Sequence, residues 1–415
     1  MIEVRGIERH EVPAFRTAVS FGFGYDLPGS ELEPEAIERS LAIDSAATML
    51  VAVDGGRFVA TFAARDFDLA LPGGASVPMA GATMVTVLPT HRRRGLLTEM
   101  MGRHLAQAVQ RRQVVAGLRA SEETIYGRFG YGSATPCYHL HLPANAVTVP
   151  PPLPSPSGEN PLKLRLVTAD EAARLLPAVY DRHWRSYAGL LSRSPAWWRE
   201  RLIADPEHRR HGATARRHVV AERTGDVAGW ASYRQRDSGA VGDPAGTVDV
   251  EDVLAFDDET RRALWHYLAH VDLYPNVVWD QCPLDDPIFL EVDRPRRLAV
   301  RWRDTLWLRL LDPVRAFEAR GYERDGVVTL ALTDPLGIAA GTWRLVVEGG
   351  RAECRPAAGP AEVTLESRAA GAAFLGGIPL LTLARAGWAE GSADAVLRLD
   401  GMLRTARAPW SPEHF

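Results

Sequence analysis

Lysine is almost missing from this chain: Lys163 is the only one in 415 residues, and arginine supplies every other basic side chain. A bias of that kind follows genomic base composition, so arginine abundance carries no functional weight. Cysteine is scarce as well. Cys137, Cys282 and Cys354 stand too far apart for a CxxC pair or a disulfide framework, which points to a reducing compartment. Nor is there an excess of charge of one sign. The formal net charge of -4 excludes the basic balance on which nucleic-acid or membrane-surface binding relies. No stretch approaches the roughly 18–20 apolar residues of a membrane span, and the charged start MIEVRGIERHE lacks the apolar core of a signal peptide. A cytoplasmic protein with neither nucleic-acid nor membrane partners is expected.

What remains is ordinary globular material, 46% hydrophobic and 24% charged. The length calls for two or three domains. Residues 149–161, VPPPLPSPSGENP, cannot sustain a helix or a central strand and read as a linker. The punctuation divides the chain into residues 1–148, 162–295 and 298–415. The first two sections look like a diverged repeat. In each, a short strand leads to a helix (residues 8–19 and 170–184), and then to a hairpin turning at Asp54-Gly55-Gly56 or at Thr224-Gly225-Asp226. Each ends with a strand that feeds a helix. The third section reads as strands over residues 327–332, 342–347 and 362–365, followed by a helix over 368–386. The fold class is therefore mixed α/β (α+β).

The strongest motif is VTVLPTHRRRGLL, residues 85–97. An apolar strand ends at Val87 or Leu88, Pro89 and Thr90 break it, and Leu96, Leu97, Met100, Met101 and Leu105 mark the apolar face of a helix. A helix start offers free N–H groups and a positive dipole end, which suit a pyrophosphate. Gly95 lets a phosphate approach the backbone with no side chain in the way. A solvated, arginine-rich helix start is the plainer alternative. The corresponding turn of the second section, Asp257-Asp258-Glu259-Thr260-Arg261-Arg262-Ala263, has carboxylates that repel a diphosphate and alanine in place of the glycine. One cofactor site per chain is expected.

Residues 85–101 together with ASEETIYGRFGYGSAT (120–135) resemble the Eis family of GNAT N-acetyltransferases, although Leu97 departs from the usual second small residue of the loop. The resemblance covers nearly the whole chain. It implies two tandem GNAT domains, the second degenerate, and then a sterol-carrier-protein-like domain. It also implies acetyl transfer from acetyl-CoA, as co-substrate and without a metal, to primary amines of polycationic small molecules such as aminoglycosides, or to lysine amines. Backbone contacts to the pantetheine would fall to Val85, Thr86 and Val87. Phosphate contacts would fall to Arg93, Arg94, Gly95, Leu96, Leu97 and Thr98, with further cofactor contacts at Ser121 and Glu122. By the same resemblance, the members' assembly implies a homo-oligomer, a hexamer.

Thioester aminolysis leaves a thiolate to be neutralised and an amine to be deprotonated. The resemblance assigns the proton donor to Tyr126, with Tyr131 as rival, and both could instead be core aromatics. It assigns the base to the C-terminal carboxylate of Phe415, with Glu413 and His414 as chemical competitors and a frayed tail as the plain alternative. An α-carboxyl has a pKa of roughly 3.5, so desolvation or a relaying water must help it. Asp26 is a candidate for holding a cationic substrate, while His414 stands where the best-known members are acidic. The string GRFGYG does not open a helix after a strand, so a dinucleotide site is not expected. The histidine-rich stretch 208–218 reads as a solvated loop. Two rival functions keep the same fold: transfer of another acyl group or to a protein, as in N-myristoyltransferases, and non-catalytic binding of a lipid or partner.

Overall fold

The computed structural model describes residues 2–152, 162–239 and 245–415, so residues 153–161 of the expected linker fall outside the described residues. Two compact units emerge. One comprises Met1–Thr135, Arg185–Ser192 and Asp304–Phe415; the other comprises Pro136–Trp184 and Arg193–Arg303.

In the first unit, β1 (Glu3–Gly6), β2 (Leu50–Asp54), β3 (Arg57–Ala70), β4 (Ser76–Val87) and β5 (Val115–Leu118) lie in sequence order. The β2–β3 turn places Gly55 and Gly56 at φ +56° and +78°, the left-handed pair that a tight two-residue hairpin demands. β4 and β5 are parallel, and α3 (Leu96–Gln110) makes the crossover between them. Its Leu96, Met100, Met101, Leu105 and Ala108 are buried at helical spacing against Phe62 and Ala116. Each of the leucine and methionine side chains contributes about 1.5–3 kcal/mol when fully withdrawn from water. α1 (Val12–Phe23) buries Val12, Phe15 and Val19 against Val51 and Ala63 on the other face. α2 is Pro34–Leu41 and α4 is Glu123–Tyr126.

Two strands change places relative to the sequence reading. Trp307–Leu310 joins the first sheet, antiparallel both to β5 and to the short strand Gly132–Ser133. Pro136–Pro143 pairs instead with Asn276–Pro283 in the sheet of the second unit. That sheet repeats the plan of the first. Lys163–Val167, the helix Ala169–His183, the hairpin Arg217–Arg223 and Asp226–Arg236, the strand Thr247–Ala255 and the helix Asp258–Ala269 follow in the same succession. Its hairpin turn again has two left-handed residues, Thr224 and Gly225.

The remaining sheet is five-stranded. Its order is Arg351–Pro356, Gly341–Glu348, Gly326–Thr333, Val363–Glu366 and Ala389–Gly391. The single helix expected over residues 368–386 is two, Ser367–Ala373 and Leu380–Arg385. Gly376 at φ +86° and Pro379 before the second helix break the apolar pattern.

The histidine-rich stretch also departs from expectation at its end. His218 lies in the strand Arg217–Arg223, is buried, and shares a 2.8 Å hydrogen bond with Ser232 Oγ. His104, on α3, is buried 5.0 Å from the ring of Phe62. Burial holds both imidazoles down to about 4, with the Arg111 and Arg216 charges acting in the same direction. The unfolded chain therefore binds more protons than the folded one between about pH 6.5 and 4. The stability from keeping these rings neutral is complete above the unfolded value and is lost as pH falls through that window. Each ring is expected to cost on the order of 3 kcal/mol by its lower limit. Melting temperatures from pH 7.5 to 4.5 check this, and His104→Phe and His218→Gln should each flatten the fall. An unchanged slope in both variants would place the acid sensitivity elsewhere.

Candidate functional site

β4 carries a bulge. Its register against β3 slips between Thr61 and Ala63, and Met84 adopts φ +52°, costly for a side chain of its size. Thr61 Oγ1 secures the bulge, donating to the Met84 carbonyl at 2.8 Å and sharing a 2.7 Å hydrogen bond with Thr86 Oγ1. β5 pairs with β4 only from Met79 to Ala82. Beyond this, the two parallel strands part, and Val85, Thr86 and Val87 line a cavity of about 610 Å³.

The turn after β4 forms another part of the wall. Arg93 at φ +63° and Gly95 at φ +80° set up the start of α3, with Gly95 as its N-cap. A Cβ on Gly95 would meet no protein atom within 4 Å, so the space before it is open. Glycine is used here for its conformation and for the open space it leaves toward the cavity, and not for internal packing. Arg93, Gly95, Leu96, Leu97 and Thr98 line the cavity; Arg94 does not, and its guanidinium donates to the Thr90 carbonyl at 3.2 Å. His91 and Arg92, which the sequence reading passed over, do line it. His91 links the turn to the hairpin, with Nε2 3.1 Å from Asp54 Oδ2 and Nδ1 2.8 Å from Thr90 Oγ1. Gly22 and Phe23, at the end of α1, were also missed. Gly22 is close-packed, since a Cβ would come within 2.5 Å of Thr86 Oγ1.

Ser121, Glu122, Ile125, Tyr126 and Arg128 complete the lining. Tyr126 is buried, and burial, followed by the nearby Glu122 carboxylate, raises its phenol above the ordinary value; Ser121 acts against them through a hydrogen bond. A phenol held protonated at neutral pH can donate a proton. Tyr131 lies 6.4 Å away, edge to face, but is fully buried with its hydroxyl toward Met101 Sδ and does not line the cavity.

The two remaining sequence candidates stand outside the cavity lining. Asp26 is exposed, three residues beyond Phe23. Phe415 packs its ring 4.9 Å from that of Phe67 and against Gly81, beside the point where β4 and β5 part. The segment leading to it is held: Ser411 and Glu413 are buried, and Arg119, just past β5, donates to the Glu413 carbonyl at 3.1 Å.

The matching turn of the second unit is built differently. Asp257 accepts from both the backbone N–H and the hydroxyl of Thr260 at 2.8 Å, and Arg223 pairs with Asp257 and Glu259. A carboxylate already occupies that helix start.

The start of α3, with its N-terminal N–H groups, and Arg92, Arg93 and Arg128 line one cavity together with a protonated phenol. Such a lining fits a long, diphosphate-bearing thioester. Comparison with known proteins agrees. An acetyltransferase (GNAT) domain model matches residues 3–134, a second acetyltransferase (GNAT) domain model matches 189–315, and a sterol carrier protein domain model matches 313–412. An uncharacterized N-acetyltransferase of Streptomyces avermitilis is 38% identical over 364 residues, covering 87% of this chain and 88% of the relative. The N-acetyltransferase Eis of Mycobacterium bovis is 32% identical over 323 residues, covering 77% of this chain and 76% of Eis. The crystal structure of Eis1 from Mycobacterium abscessus superposes with a TM-score of 0.82 at 28% identity, over the full length of both chains.

Fold and site together define an N-acetyltransferase with tandem GNAT domains and a C-terminal sterol-carrier-protein-like domain. The chain belongs to the Eis family of N-acetyltransferases, and enzymes of the GNAT class use acetyl-CoA and an amine acceptor.

Proposed function

We propose that the protein moves the acetyl group of acetyl-CoA onto a primary amine of a polycationic small molecule, such as an aminoglycoside, or onto a lysine amine. The observation that carries this reading is that Tyr126 lines the same cavity as the Gly95 turn. The arginines and the α3 start would hold the diphosphate, and the parted edge of β4 would receive the pantetheine chain. As the amine nitrogen bonds to the carbonyl carbon and the carbon–sulfur bond breaks, the Tyr126 hydroxyl donates a proton to the departing sulfur. The terminal carboxylate of Phe415 takes the proton the amine loses, directly or through a water. Glu122 on the cavity lining and the exposed Asp26, three residues after the lining residue Phe23, are carboxylates that suit a cationic acceptor. The second GNAT copy serves as structure, giving one cofactor site per chain. A cytoplasmic location suits three buried cysteines that form no disulfide, and by family likeness the working form is a homo-oligomer, a hexamer.

Tyr126→Phe is expected to lower turnover at least about tenfold while leaving coenzyme A affinity nearly intact, as the loss of a proton donor does. Release of coenzyme A, measured with a panel of aminoglycosides, polyamines and lysine peptides, tests the donor and the acceptor together. If Tyr131→Phe loses turnover and Tyr126→Phe does not, the donor is wrong. If no amine on the panel is acetylated, the acceptor class is wrong.

A further inference from the structure

The tyrosine segment is gripped from behind by a residue far away in sequence. Arg309, in the strand Trp307–Leu310, is fully buried. Its Nη1 donates to the Phe129 carbonyl and its Nη2 pairs with Asp334 Oδ2 at 2.6 Å, in a contact where both side chains are inaccessible to water. Asp334 is itself fixed by its own loop, accepting from the Leu336 N–H at 3.0 Å and the Ala339 N–H at 2.7 Å. Phe129 closes the turn Gly127–Phe129 that follows α4, and Tyr126 is the last residue of that helix.

The fit leaves little slack. A Cβ on Gly130 would collide with the Arg309 guanidinium, and one on Gly132 would collide with the Arg368 carbonyl of the helix Ser367–Ala373. Past the turn, the chain enters Gly132–Ser133, which pairs with the same strand that carries Arg309. The turn therefore has one charged hydrogen bond at its last residue and strand pairing just beyond it, both supplied by residues beyond 300.

A second buried pair in the same unit serves as a comparison, because it does not bond to the turn after Tyr126. Arg65 and Asp44 are nearly as withdrawn from water, and they join β3 to the segment after α2. Burying a guanidinium and a carboxylate costs several kcal/mol of desolvation, so such a pair is weak as a source of stability and strong as a fixer of geometry. We infer that Arg309, anchored by Asp334, is a positioning residue for Tyr126: it fixes the turn after the tyrosine and so the place of the phenol in the cavity. This rests on the reading of Tyr126 as proton donor. The sterol-carrier-protein-like domain, which supplies Asp334, thereby acts on acetyl transfer through structure and needs no ligand of its own to do so.

The test compares Arg309→Lys, whose single ammonium cannot span both partners, and Asp334→Asn, which removes a charge but almost no volume, with Asp44→Asn. All are assayed well below their melting temperatures. The first two are expected to lower kcat at least about tenfold, because small displacements of a reacting group are costly. Their KM for acetyl-CoA should change less than about twofold. Asp44→Asn should lower the melting temperature comparably and leave kcat within about twofold. In a Tyr126→Phe background, Arg309→Lys should cost no more than about a further twofold, since the group it positions is gone. Should Arg309→Lys fail to fold, Asp334→Asn gives the same reading alone and in that background. The inference is overturned if kcat survives in Asp334→Asn, if Asp44→Asn loses as much, or if the losses multiply with Tyr126→Phe. Full turnover in Tyr126→Phe alone would instead sink the donor assignment, so the two failures are distinguishable.

Discussion

Gly95→Asp is expected to abolish coenzyme A binding, and Gly95→Asn to weaken it far less. The pair separates two effects that a single substitution would merge. Gly95 sits at φ +80° and ψ -1°, where a side chain costs roughly 1–2 kcal/mol. Asparagine and aspartate tolerate that region better than other residues and have nearly the same shape, so backbone strain is common to both variants. No protein atom lies within 4 Å of the new Cβ, so packing is not the difference either. What differs is a negative charge at the head of α3, where the open N–H groups and the dipole would hold a phosphate. The aspartate carboxylate would take that place as an internal anion and also repel the diphosphate. Calorimetric titration with coenzyme A should show no binding by Gly95→Asp, or a Kd at least about a hundredfold above that of Gly95→Asn, equivalent to about 2.8 kcal/mol. Melting temperatures should not fall further in Gly95→Asp, because an N-terminal carboxylate favours a helix. If the two variants bind coenzyme A within about twofold of each other, no phosphate lies near this turn.

The place of Gly95 at a helix start was legible in the sequence because it is set locally: strand, breaker, arginines, glycine and helix fall within thirteen residues. The hairpin turns were legible for the same reason, since their conformations belong to the two or three residues that form them. The choice between Tyr126 and Tyr131 was not. Both stand in one glycine-rich string, and only packing shows that the first reaches the cavity while the second is sealed against Met101. Arg94 was expected at the cavity and does not line it, whereas Arg92, which was passed over, does; the left-handed Arg93 stands between them. Least legible was anything that depends on strand order. Trp307–Leu310 and Pro136–Pro143 have ordinary strand composition, and nothing in either says which sheet it will complete. Arg309 was invisible for that reason: its function comes from the neighbour that the strand pairing gives it.

The terminal carboxylate is the assignment with the largest expected effect and the fewest side-chain signals. Appending residues after Phe415 should remove most turnover, since it converts the carboxylate into a neutral amide that cannot accept a proton. Phe415→Ala keeps the carboxylate and loses the ring contact with Phe67, so it should retain part of the activity. Deleting Phe415 withdraws the carboxylate by as much as about 3.3–3.6 Å along an extended chain. A base must lie within about 2.6–3.2 Å of its proton, or one water farther, so the deletion should be nearly as damaging as the extension. A frayed tail would predict no difference among the three, but this tail is not frayed. Ser411 and Glu413 are buried, Trp410 donates its backbone N–H to the Ala188 carbonyl at 2.9 Å, and Arg119 holds the Glu413 carbonyl next to Ser121 and Glu122 of the cavity wall. The chain is thus held up to its penultimate residues, which is what lets position, more than residue type, decide the outcome. Steady-state kinetics on the three variants, against an N-terminally tagged control with matched melting temperature, provide the comparison. Coenzyme A affinity should stay near that of the control throughout, because the phosphate turn is untouched. Full activity in the extended protein would rule out the carboxylate and turn the search to Glu413, His414 or Asp26.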